Sequence, residues 1–562
     1  MTTTPAKVND ERPYQRARTA LACRLAASIL AIAVCALHFW KLGSAPAGFY
    51  GDECSQAYNA YCIARTGADE YGVRHPLFFR ALDNYQDPVL IYCLAPLVNV
   101  CGLTKVISRA PSALFDLLAA TAFAFLVQEY CRNKWLSLLG AALFSFIPWV
   151  FPASRLVFSD TAMLWGIIMG WWLCLLALRK RSYGFAVGAG VAWAFAMYAR
   201  TLGRPMTVLL LLCFGLAFSQ SLLARWKVAL AFAIGYVSAL LPMMISVARF
   251  PQSLTTRFEW ISVFQGRPPT LEIVKQVGLR YGEYFSPRFL FLGGDPQLRH
   301  HTGFGGELFL FTVPLILVGI CHAVRLFGRH PRYRLLAFSL LVYPVAAALT
   351  VDRMHSGRSL TGAISWLLVA MLGARALWKH SQMGRTLLLV ICAAGLIECT
   401  GYFVDYFGPY QKRSSAAFQT GFTHALEYCF GHLSTNQVLY VSGSVGTACD
   451  AYIDTDFKPF AYIFLLFHGR IDPWSYQHTG FSNTVVQPYL ESISRPGLLL
   501  RCNHTPDAST GQFLIVPNHE SVPPDAMLLT TFQDEDLVYQ VWSVKGKWSR
   551  EDNAVRSRTS EP

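Results

Sequence analysis

The chain has 562 residues, of which 53% are hydrophobic and only 15% are charged. Soluble proteins carry roughly a quarter charged residues, so this composition excludes an ordinary soluble enzyme and indicates a polytopic membrane protein. Lys and Arg exceed Asp and Glu by 48 to 34, a net charge of +14. We attribute this excess to basic cytoplasmic loops and to attraction to anionic lipid. The sequence has no basic run interleaved with aromatic residues, the pattern that would indicate binding of nucleic acid.

Apolar runs of about 17 residues or more predict membrane-spanning helices. Eleven such runs are present, at residues 21–40, 110–128, 135–152, 161–178, 183–199, 205–220, 228–248, 306–324, 335–350, 360–378 and 386–404.

The basic residues between these runs predict the orientation. A basic tail at residues 1–20 precedes the first span, so we expect the N-terminus to stay in the cytoplasm. The competing interpretation is a cleaved signal peptide ending near the small residues 44–48, which we disfavour because the apolar stretch is long for a signal core. Basic clusters at the later turns then leave the following loops outside: 41–109, 153–160, 200–204, 249–305, 351–359 and the tail from about 406.

One apolar segment, residues 88–102, does not fit the alternation. A full crossing there would place every later basic cluster outside, and the segment is short and contains two prolines. We therefore predict an interfacial or re-entrant helix on the outer leaflet. The predicted fold is a polytopic α-helical membrane protein with about 11 spans, N-terminus inside and C-terminus outside, with a membrane domain over 21–405.

The C-terminal region, residues 406–562, has a different character. Short apolar runs at 437–441, 512–516 and 537–542 alternate with turn-rich segments, a pattern typical of strands. We predict an extracytoplasmic soluble α/β domain.

The first outer loop contains the acidic pair Asp52–Glu53 directly after the first span. A carboxylate at the lipid–water boundary can act as a general base towards a hydroxyl group. Acidic residues also cap helices well, so a purely structural role for the pair fits the local sequence equally.

A set of motifs in fixed order resembles a known family. Each motif alone is weak, but all of them fall in predicted outer loops or at outer span ends. Together they resemble the polyprenyl-phosphate-sugar-dependent glycosyltransferases of the C fold class, which include protein O-mannosyltransferases and lipid A aminoarabinose transferases. The motifs are Asp52-Glu53, Gly67…Gly72…His75-Pro76-Leu77, the apolar segment after Pro88, Ser108-Arg109-Ala-Pro-Ser112, Pro148-Trp149…Ser154-Arg155…Asp160, and Tyr284…Gly293-Gly-Asp295…Arg299-His300.

The resemblance implies an interfacial helix at 88–102 and two acidic site residues. Asp52 matches the first-loop aspartate that these enzymes use towards the acceptor, and Asp160 matches a second acidic position at the outer start of a span. One departure concerns Asp87, which stands where aminoarabinose transferases carry a lysine facing the carrier phosphate. The resemblance therefore does not identify the sugar, and the phosphate charge must be neutralised elsewhere.

Basic residues at predicted outer span ends, Arg200 among them, are the candidates for that task. Arginine binds phosphate through paired hydrogen bonds, and helix N-termini favour anions. Each residue singly also fits an interface anchor, and Arg155 also fits a loop-structuring pair with Asp160. The predicted substrate-binding residues are Asp160, Arg155, Arg204, Arg299, His300, His355 and Arg358.

The sequence thus predicts an inverting glycosyltransferase in a bacterial plasma membrane, with its active site on the extracytoplasmic face and Asp52 and Glu53 as catalytic residues. The donor would be a polyprenyl-phosphate-linked sugar, and the acceptor a hydroxyl on a glycan, lipid or protein. The scheme requires no cofactor, although a divalent metal at Asp52 and Glu53 is compatible with it. The alternatives are a secondary transporter or glycolipid flippase, which would be expected to have internal repeats, and a non-catalytic assembly protein.

Overall fold

The structure is a computed structural model that describes residues 12–82, 84–266, 268–432, 439–441, 461–483, 498–500, 512–518, 522, 526–534 and 537–544. The described helices are α1 (Arg12–Phe39), α2 (Gly51–Thr66), α3 (Pro88–Cys101), α4 (Lys105–Cys131), α5 (Lys134–Phe146), α6 (Asp160–Lys180), α7 (Tyr183–Ala199), α8 (Gly203–Ala224), α9 (Trp226–Arg249), α10 (Gln252–Ile261), α11 (Thr270–Glu283), α12 (Val313–Phe327), α13 (Pro331–Val342), α14 (Val345–Ala348), α15 (Ser356–Ser359), α16 (Gly362–His380), α17 (Gln382–Phe407), α18 (Pro409–Arg413), α19 (Thr420–His432), α20 (Ala461–His468) and α21 (Pro473–Asn483). The described strands are β1 (Phe79–Ala81), β2 (Asn84–Gln86), β3 (Leu439–Val441), β4 (Leu498–Leu500), β5 (Gln512–Pro517), β6 (Met527–Asp534) and β7 (Leu537–Val544).

A helix is present at each of the eleven predicted spans, and the run at 335–350 contains two helices, α13 and α14, separated at residues 343–344. Among the described residues, six helical segments are long and apolar enough to cross a membrane by length and composition. They are Lys105–Cys131, Asp160–Lys180, Gly203–Ala224, Trp226–Arg249, Leu310–Phe327 and Gln382–Phe407. The chain is therefore a multi-pass membrane protein, while the span count and the orientation stay predictions.

Polar residues cap the N-termini of α5 and α7 at turns predicted to be cytoplasmic. The Asn133 side chain accepts hydrogen bonds from the first backbone N–H groups of α5, and Ser182 does the same for α7. These caps satisfy donors that a helix N-terminus otherwise leaves unpaired. Arg132 and Arg181 adopt left-handed backbone conformations at the preceding helix ends, with φ of 51° and 55°. Tight turns between α4 and α5 and between α6 and α7 result.

Small residues allow the spans to pack closely, as α7 and α9 illustrate. A Cβ on Gly190 would lie 2.4 Å from the carbonyl oxygen of Phe232, and one on Gly235 would lie 2.4 Å from that of Val187. Both glycines are therefore required for the close approach of the two backbones. Such small-residue contacts are the usual means of helix association in a membrane.

Helix α3 is the short apolar segment that the charge pattern predicts to be interfacial. It has 14 residues with Pro96 inside, and it packs one side on α2 and α4. Leu90, Leu94 and Val98 are buried on that side, whereas Val100 is 82% exposed. A helix of this length is short for a bilayer crossing, which supports the interfacial prediction.

The described part of the C-terminal region contains a five-stranded mixed sheet with the order β4-β3-β5-β7-β6. Strand β3 pairs parallel with β5 and antiparallel with β4, and β7 pairs antiparallel with both β5 and β6. Strands β3, β5 and β7 fall on the predicted strands, although residues 437 and 438 lie outside the described residues. Whether this region is a separate domain stays a prediction.

The C-terminal helices share a hydrophobic core with the first outer loop. Phe49 stacks on Phe467 with ring centroids 4.5 Å apart, and Tyr58 of α2 donates a hydrogen bond to the carbonyl of Ile471. The core also contains buried residues of α3 and α19, such as Leu94 and Phe422. The C-terminal region and the first outer loop therefore lie on the same side of the span bundle.

Candidate active site

Glu53 lies in the first turn of α2 and is completely buried. Both of its carboxylate oxygens accept hydrogen bonds from Arg109 of α4, each at 2.9 Å, and Oε1 also accepts one from the backbone N–H of Val157. Arg109 in turn donates to backbone carbonyls of the segment that joins α1 to α2. Glu53 was predicted to be catalytic, but its oxygens are all engaged in tying α2 to α4, so we reassign it to a structural role.

The neighbouring carboxylate, that of Asp52, differs from Glu53 in its burial and in its bonding. It is half-buried, and its side chain makes no hydrogen bond or ion pair with any residue that the structure describes. Its charge acts on the hydroxyl of Tyr50 and on the guanidinium of Arg200. Asp52 is thus a carboxylate beside basic groups with its oxygens available to a ligand.

Arg200 lies in the turn between α7 and α8. Its Nε lies 3.1 Å from Oδ1 of Asp160, the first residue of α6, and its guanidinium lies 4.7 Å from the ring centre of Phe158. Burial lowers the pKa of Arg200, but the carboxylates of Asp160, Asp87 and Asp52 outweigh it, so the pKa is raised. The Arg200 side chain is 31% exposed, so a ligand can reach its charge, and the ion pair with Asp160 holds it in place.

Asp87, the residue before Pro88 at the start of α3, anchors the same turn. Its Oδ1 lies 2.6 Å from Nη2 of Arg204, and its Oδ2 accepts a hydrogen bond of 2.8 Å from the backbone of Thr201. Burial raises the pKa of Asp87, and the two arginines Arg204 and Arg200 oppose that shift. Asp87, the departure seen in the sequence, thus has a partner, because it fixes Arg204 at the start of α8.

Arg299 comes from the long loop at residues 249–305 and lies against Tyr50. Its guanidinium lies 5.2 Å from the ring centre of Tyr50, two residues before Asp52. Arg299 is half-exposed, and within the described parts of the chain it makes no ion pair. Burial raises the pKa of Tyr50 well above its ordinary value, and the positive charge of Arg299 counteracts this only in part. Arg299 is therefore a second cation available to an anionic ligand.

Arg155 was also predicted to bind substrate, and the structure contradicts this. Its side chain is completely buried, and all five N–H groups donate to the backbone carbonyls of Leu37, His38, Trp40 and Ala45. No donor remains for a phosphate. Arg155 instead binds the carbonyls left open at the C-terminal end of α1, as a helix end requires.

The remaining predicted residues form a second group near α15. His300 Nδ1 lies 3.2 Å from Oδ2 of Asp295, the ring of His355 stacks on that of His300, and Arg358 forms an ion pair with Asp352 at 2.6 Å. Burial opposes ionisation of Asp295, but hydrogen bonds from His300 and the backbone prevail and lower its pKa. The side chains of His300, His355 and Asp295 thus form one cluster.

The sequence pointed to Asp52 and its basic surroundings, but it did not single out Tyr50, and it gave no role to Asp295 or Arg109, which it named only as parts of motifs. Arg109 is part of a motif that carried the family resemblance, and it is the last residue of a predicted loop, directly before a predicted span. Its partner, Glu53, lies 56 positions away along the chain. Spacing alone could not pair them.

Comparison with solved structures finds the ArnT protein of Cupriavidus metallidurans bound to undecaprenyl phosphate, with a TM-score of 0.53 and 12% sequence identity over 92% of this chain and 97% of ArnT. ArnT in its apo state matches with a TM-score of 0.51 and the same identity and coverage. Comparisons with protein-family models and with curated proteins give no match. ArnT is a lipid A aminoarabinose transferase with the C fold of glycosyltransferases, so the fold that the motifs predicted is confirmed.

Proposed function

We propose that the protein is an inverting glycosyltransferase that moves a sugar from a polyprenyl-phosphate donor to a hydroxyl acceptor on the outer face of a bacterial plasma membrane. The fold supports this proposal, because the ArnT structure that shares it binds undecaprenyl phosphate. The observation that carries the proposal is the Asp52 carboxylate, which is half-buried, unpaired among the described residues and within electrostatic reach of Arg200. This arrangement suits a base beside a phosphate site.

The reaction is a single displacement at the anomeric carbon of the donor sugar. The acceptor hydroxyl gives its proton to Asp52 while its oxygen forms a bond to the anomeric carbon from the face opposite the phosphate. The bond between that carbon and the phosphate oxygen breaks, and the electron pair leaves with the polyprenyl phosphate. The transition state resembles an oxocarbenium ion, as in other glycosyl transfers.

The charges around Asp52 fit this movement of electrons. With all side chains ionised, three carboxylates (Asp52, Asp87 and Asp160) face three guanidinium groups (Arg200, Arg204 and Arg299). Transfer of the proton to Asp52 removes one negative charge at the moment when the departing phosphate gains one. Preorganised groups that compensate a developing charge in this way stabilise a transition state.

Asp160 and Asp87 act through the arginines in this scheme. Asp160 orients Arg200 and Asp87 orients Arg204, which leaves Arg200 and Arg299 as the groups that contact the phosphate. Arginine suits this task because its planar fork binds two phosphate oxygens at once. The sugar is not assigned, since Asp87 and not a lysine precedes α3.

Replacing Asp52 by asparagine tests the proposal. We expect Asp52→Asn to lower the rate of sugar transfer about 10²–10⁴-fold, the usual contribution of a general base. Purified protein in lipid nanodiscs would be given polyprenyl-phosphate sugars extracted from the host, and sugar transfer would be measured by mass spectrometry. Binding of undecaprenyl phosphate should persist, because Arg200 and Arg299 are unchanged.

The matched control is Glu272→Gln, the same chemical change at an exposed carboxylate on α11. It should transfer sugar at the wild-type rate. Equal rates for Asp52→Asn and Glu272→Gln would contradict the catalytic role of Asp52, and loss of undecaprenyl phosphate binding in Asp52→Asn alone would assign the residue to donor binding instead.

A further inference from the structure

Three metal-ligating side chains converge beside the active site. Asp295 and His300 belong to the long outer loop, and His355 precedes α15, 55 positions further along the chain than His300. One ligand atom from each lies within 4.8 Å of the other two. The chain folds so that residues far apart in sequence bring ligand atoms of two imidazoles and one carboxylate close to one another.

The separations between these atoms fit a shared metal ion. Asp295 Oδ2 lies 3.2 Å from Nδ1 of His300 and 3.8 Å from Nδ1 of His355. A tetrahedral ion with bonds of about 2.0–2.1 Å holds its ligands about 3.4 Å apart. The two observed separations bracket that value, and the longer one exceeds the range of a hydrogen bond. Nδ1 of His355 also accepts a long hydrogen bond of 3.4 Å from the backbone N–H of Arg358, which a bound ion would replace.

We infer that Asp295, His300 and His355 bind one divalent transition-metal ion, for which Zn²⁺ has the best-matching chemistry. Imidazole nitrogens favour zinc and its neighbours, whereas Mg²⁺ and Ca²⁺ prefer sites made of oxygen ligands. Three protein ligands leave a fourth position for water. The histidine side chains are 21% and 15% exposed, so an ion and a water molecule can enter from solvent.

The surroundings of Asp295 support a ligand role. Its Oδ1 accepts a hydrogen bond from the backbone of Gln297 and its Oδ2 one from the backbone of Ser356, both at 2.8 Å. The hydroxyl of Ser356 in turn donates to the carboxylate of Glu307. Metal-binding carboxylates are commonly oriented by such outer hydrogen bonds. Asp295 is therefore fixed with one oxygen facing both imidazoles.

The ion would connect the long outer loop to the turn before α15. Arg299 is the residue before His300 and lies against Tyr50, so fixing His300 also fixes Arg299 beside Asp52. The ion acts here as a structural link, and it takes no part in the displacement. Its binding is independent of the proposed function, and it can be measured without any transfer assay.

Zinc content of the full-length protein tests the inference. The protein would be purified on a histidine-free tag, treated with a chelator, dialysed against ZnCl₂ and then against metal-free buffer, and analysed by mass spectrometry of the metal. We expect about one Zn²⁺ per wild-type chain and none at this site in His300→Ala or His355→Ala. The matched control is His380→Ala, an exposed histidine at the end of α16, which should keep the wild-type content.

A variant that fails to fold could lose zinc for a trivial reason, so a spectroscopic measurement accompanies the zinc analysis. Co²⁺ bound to the wild-type chain should give the visible bands of a tetrahedral site without the charge-transfer band that thiolate ligands produce. Zn²⁺ should also raise the Tm of the wild type and of His380→Ala, but not that of His300→Ala. Wild-type protein without retained zinc, equal zinc content in His355→Ala, or a thiolate band would each overturn the inference.

Discussion

At the scale of single residues, the number of free donors separates structural arginines from ligand-binding ones. Arg155 and Arg109 are completely buried, and backbone carbonyls or Glu53 engage their N–H groups. Arg299, in contrast, is half-exposed and touches the face of Tyr50. Replacing a buried, fully bonded arginine would damage the fold, whereas replacing Arg299 should affect only the ligand.

Replacing Arg299 by glutamine should therefore impair sugar transfer without unfolding the protein. We expect a loss of about 10²-fold in kcat, because one preorganised charge at the leaving phosphate disappears. Arg299→Lys should recover part of this loss, since it restores the charge but not the paired hydrogen bonds. Steady-state kinetics with extracted polyprenyl-phosphate sugars provides the measurement.

Arg288→Gln serves as the matched control for Arg299→Gln, because Arg288 is an exposed arginine of the same outer segment. It should behave as the wild type does. A similar loss in both variants would mean that the general positive charge of the segment, and not the position of Arg299, supports transfer.

At the scale of elements, α2 connects the active site to the C-terminal helices. Its first turn holds Asp52, and the segment after its C-terminal end holds Glu70, which is buried against α20. The hydroxyl of Tyr462 donates a hydrogen bond to Oε1 of Glu70, and Gln477 of α21 donates one to the backbone carbonyl of Asp69. The contact between α2 and the C-terminal helices thus includes a buried carboxyl group.

This carboxyl group should make the stability of the protein depend on pH. Burial raises the pKa of Glu70 to about 8 from an ordinary value of 4.5, with a smaller contribution from Asp69. Between pH 4.5 and 8 the unfolded chain has therefore lost a proton that the folded chain keeps. The stabilisation is complete below pH 4.5 and is lost as the pH rises towards 8, at up to ~1.4 kcal/mol per pH unit.

Glu70→Gln isolates this contribution, because the amide keeps an oxygen for Tyr462 and does not titrate. Thermal unfolding in detergent from pH 5 to pH 8 should show the Tm of the wild type falling more steeply than that of the variant. Parallel curves for the two proteins would exclude Glu70 as the source of the pH dependence.

At the scale of the whole molecule, hydropathy and charge predicted most of the fold. Each predicted span contains a helix. Helix α3 is short for a crossing, in agreement with the charge alternation, which requires that this segment does not cross the membrane. The three C-terminal strands were visible as short apolar runs, because a strand needs only about five residues for a recognisable pattern. Local pattern was sufficient for these elements.

The roles of individual site residues were less accessible from sequence, because they depend on contacts between distant segments. Arg155 was taken for a phosphate ligand, since nothing in the sequence shows that four carbonyls from the end of α1 and the segment after it converge on this side chain. Asp52 and Glu53 are adjacent in sequence and were given one role, but a helix directs consecutive side chains about 100° apart. Glu53 therefore pairs with Arg109, whereas Asp52 makes no such pair among the described residues, and its charge acts on Arg200.

The orientation of the whole molecule is a prediction that reporter fusions can test. Alkaline phosphatase, which is active only outside the cytoplasm, should be active when fused after Phe407 and inactive when fused after Lys180. Green fluorescent protein at the same two positions should give the opposite pattern. Activity of alkaline phosphatase after Lys180 would place the basic turns outside and Asp52 in the cytoplasm, contrary to the proposed reaction.

The most direct test of the central claim, sugar transfer from a polyprenyl phosphate, is mass spectrometry of the glycolipids, glycans and glycoproteins of the host with and without the gene. The account predicts that one polyprenyl-phosphate sugar accumulates in the deletion strain and that one product loses the same sugar. The wild-type gene should reverse both changes, and the Asp52→Asn gene should not. Unchanged sugar modification in the deletion strain, or full restoration by Asp52→Asn, would contradict the account.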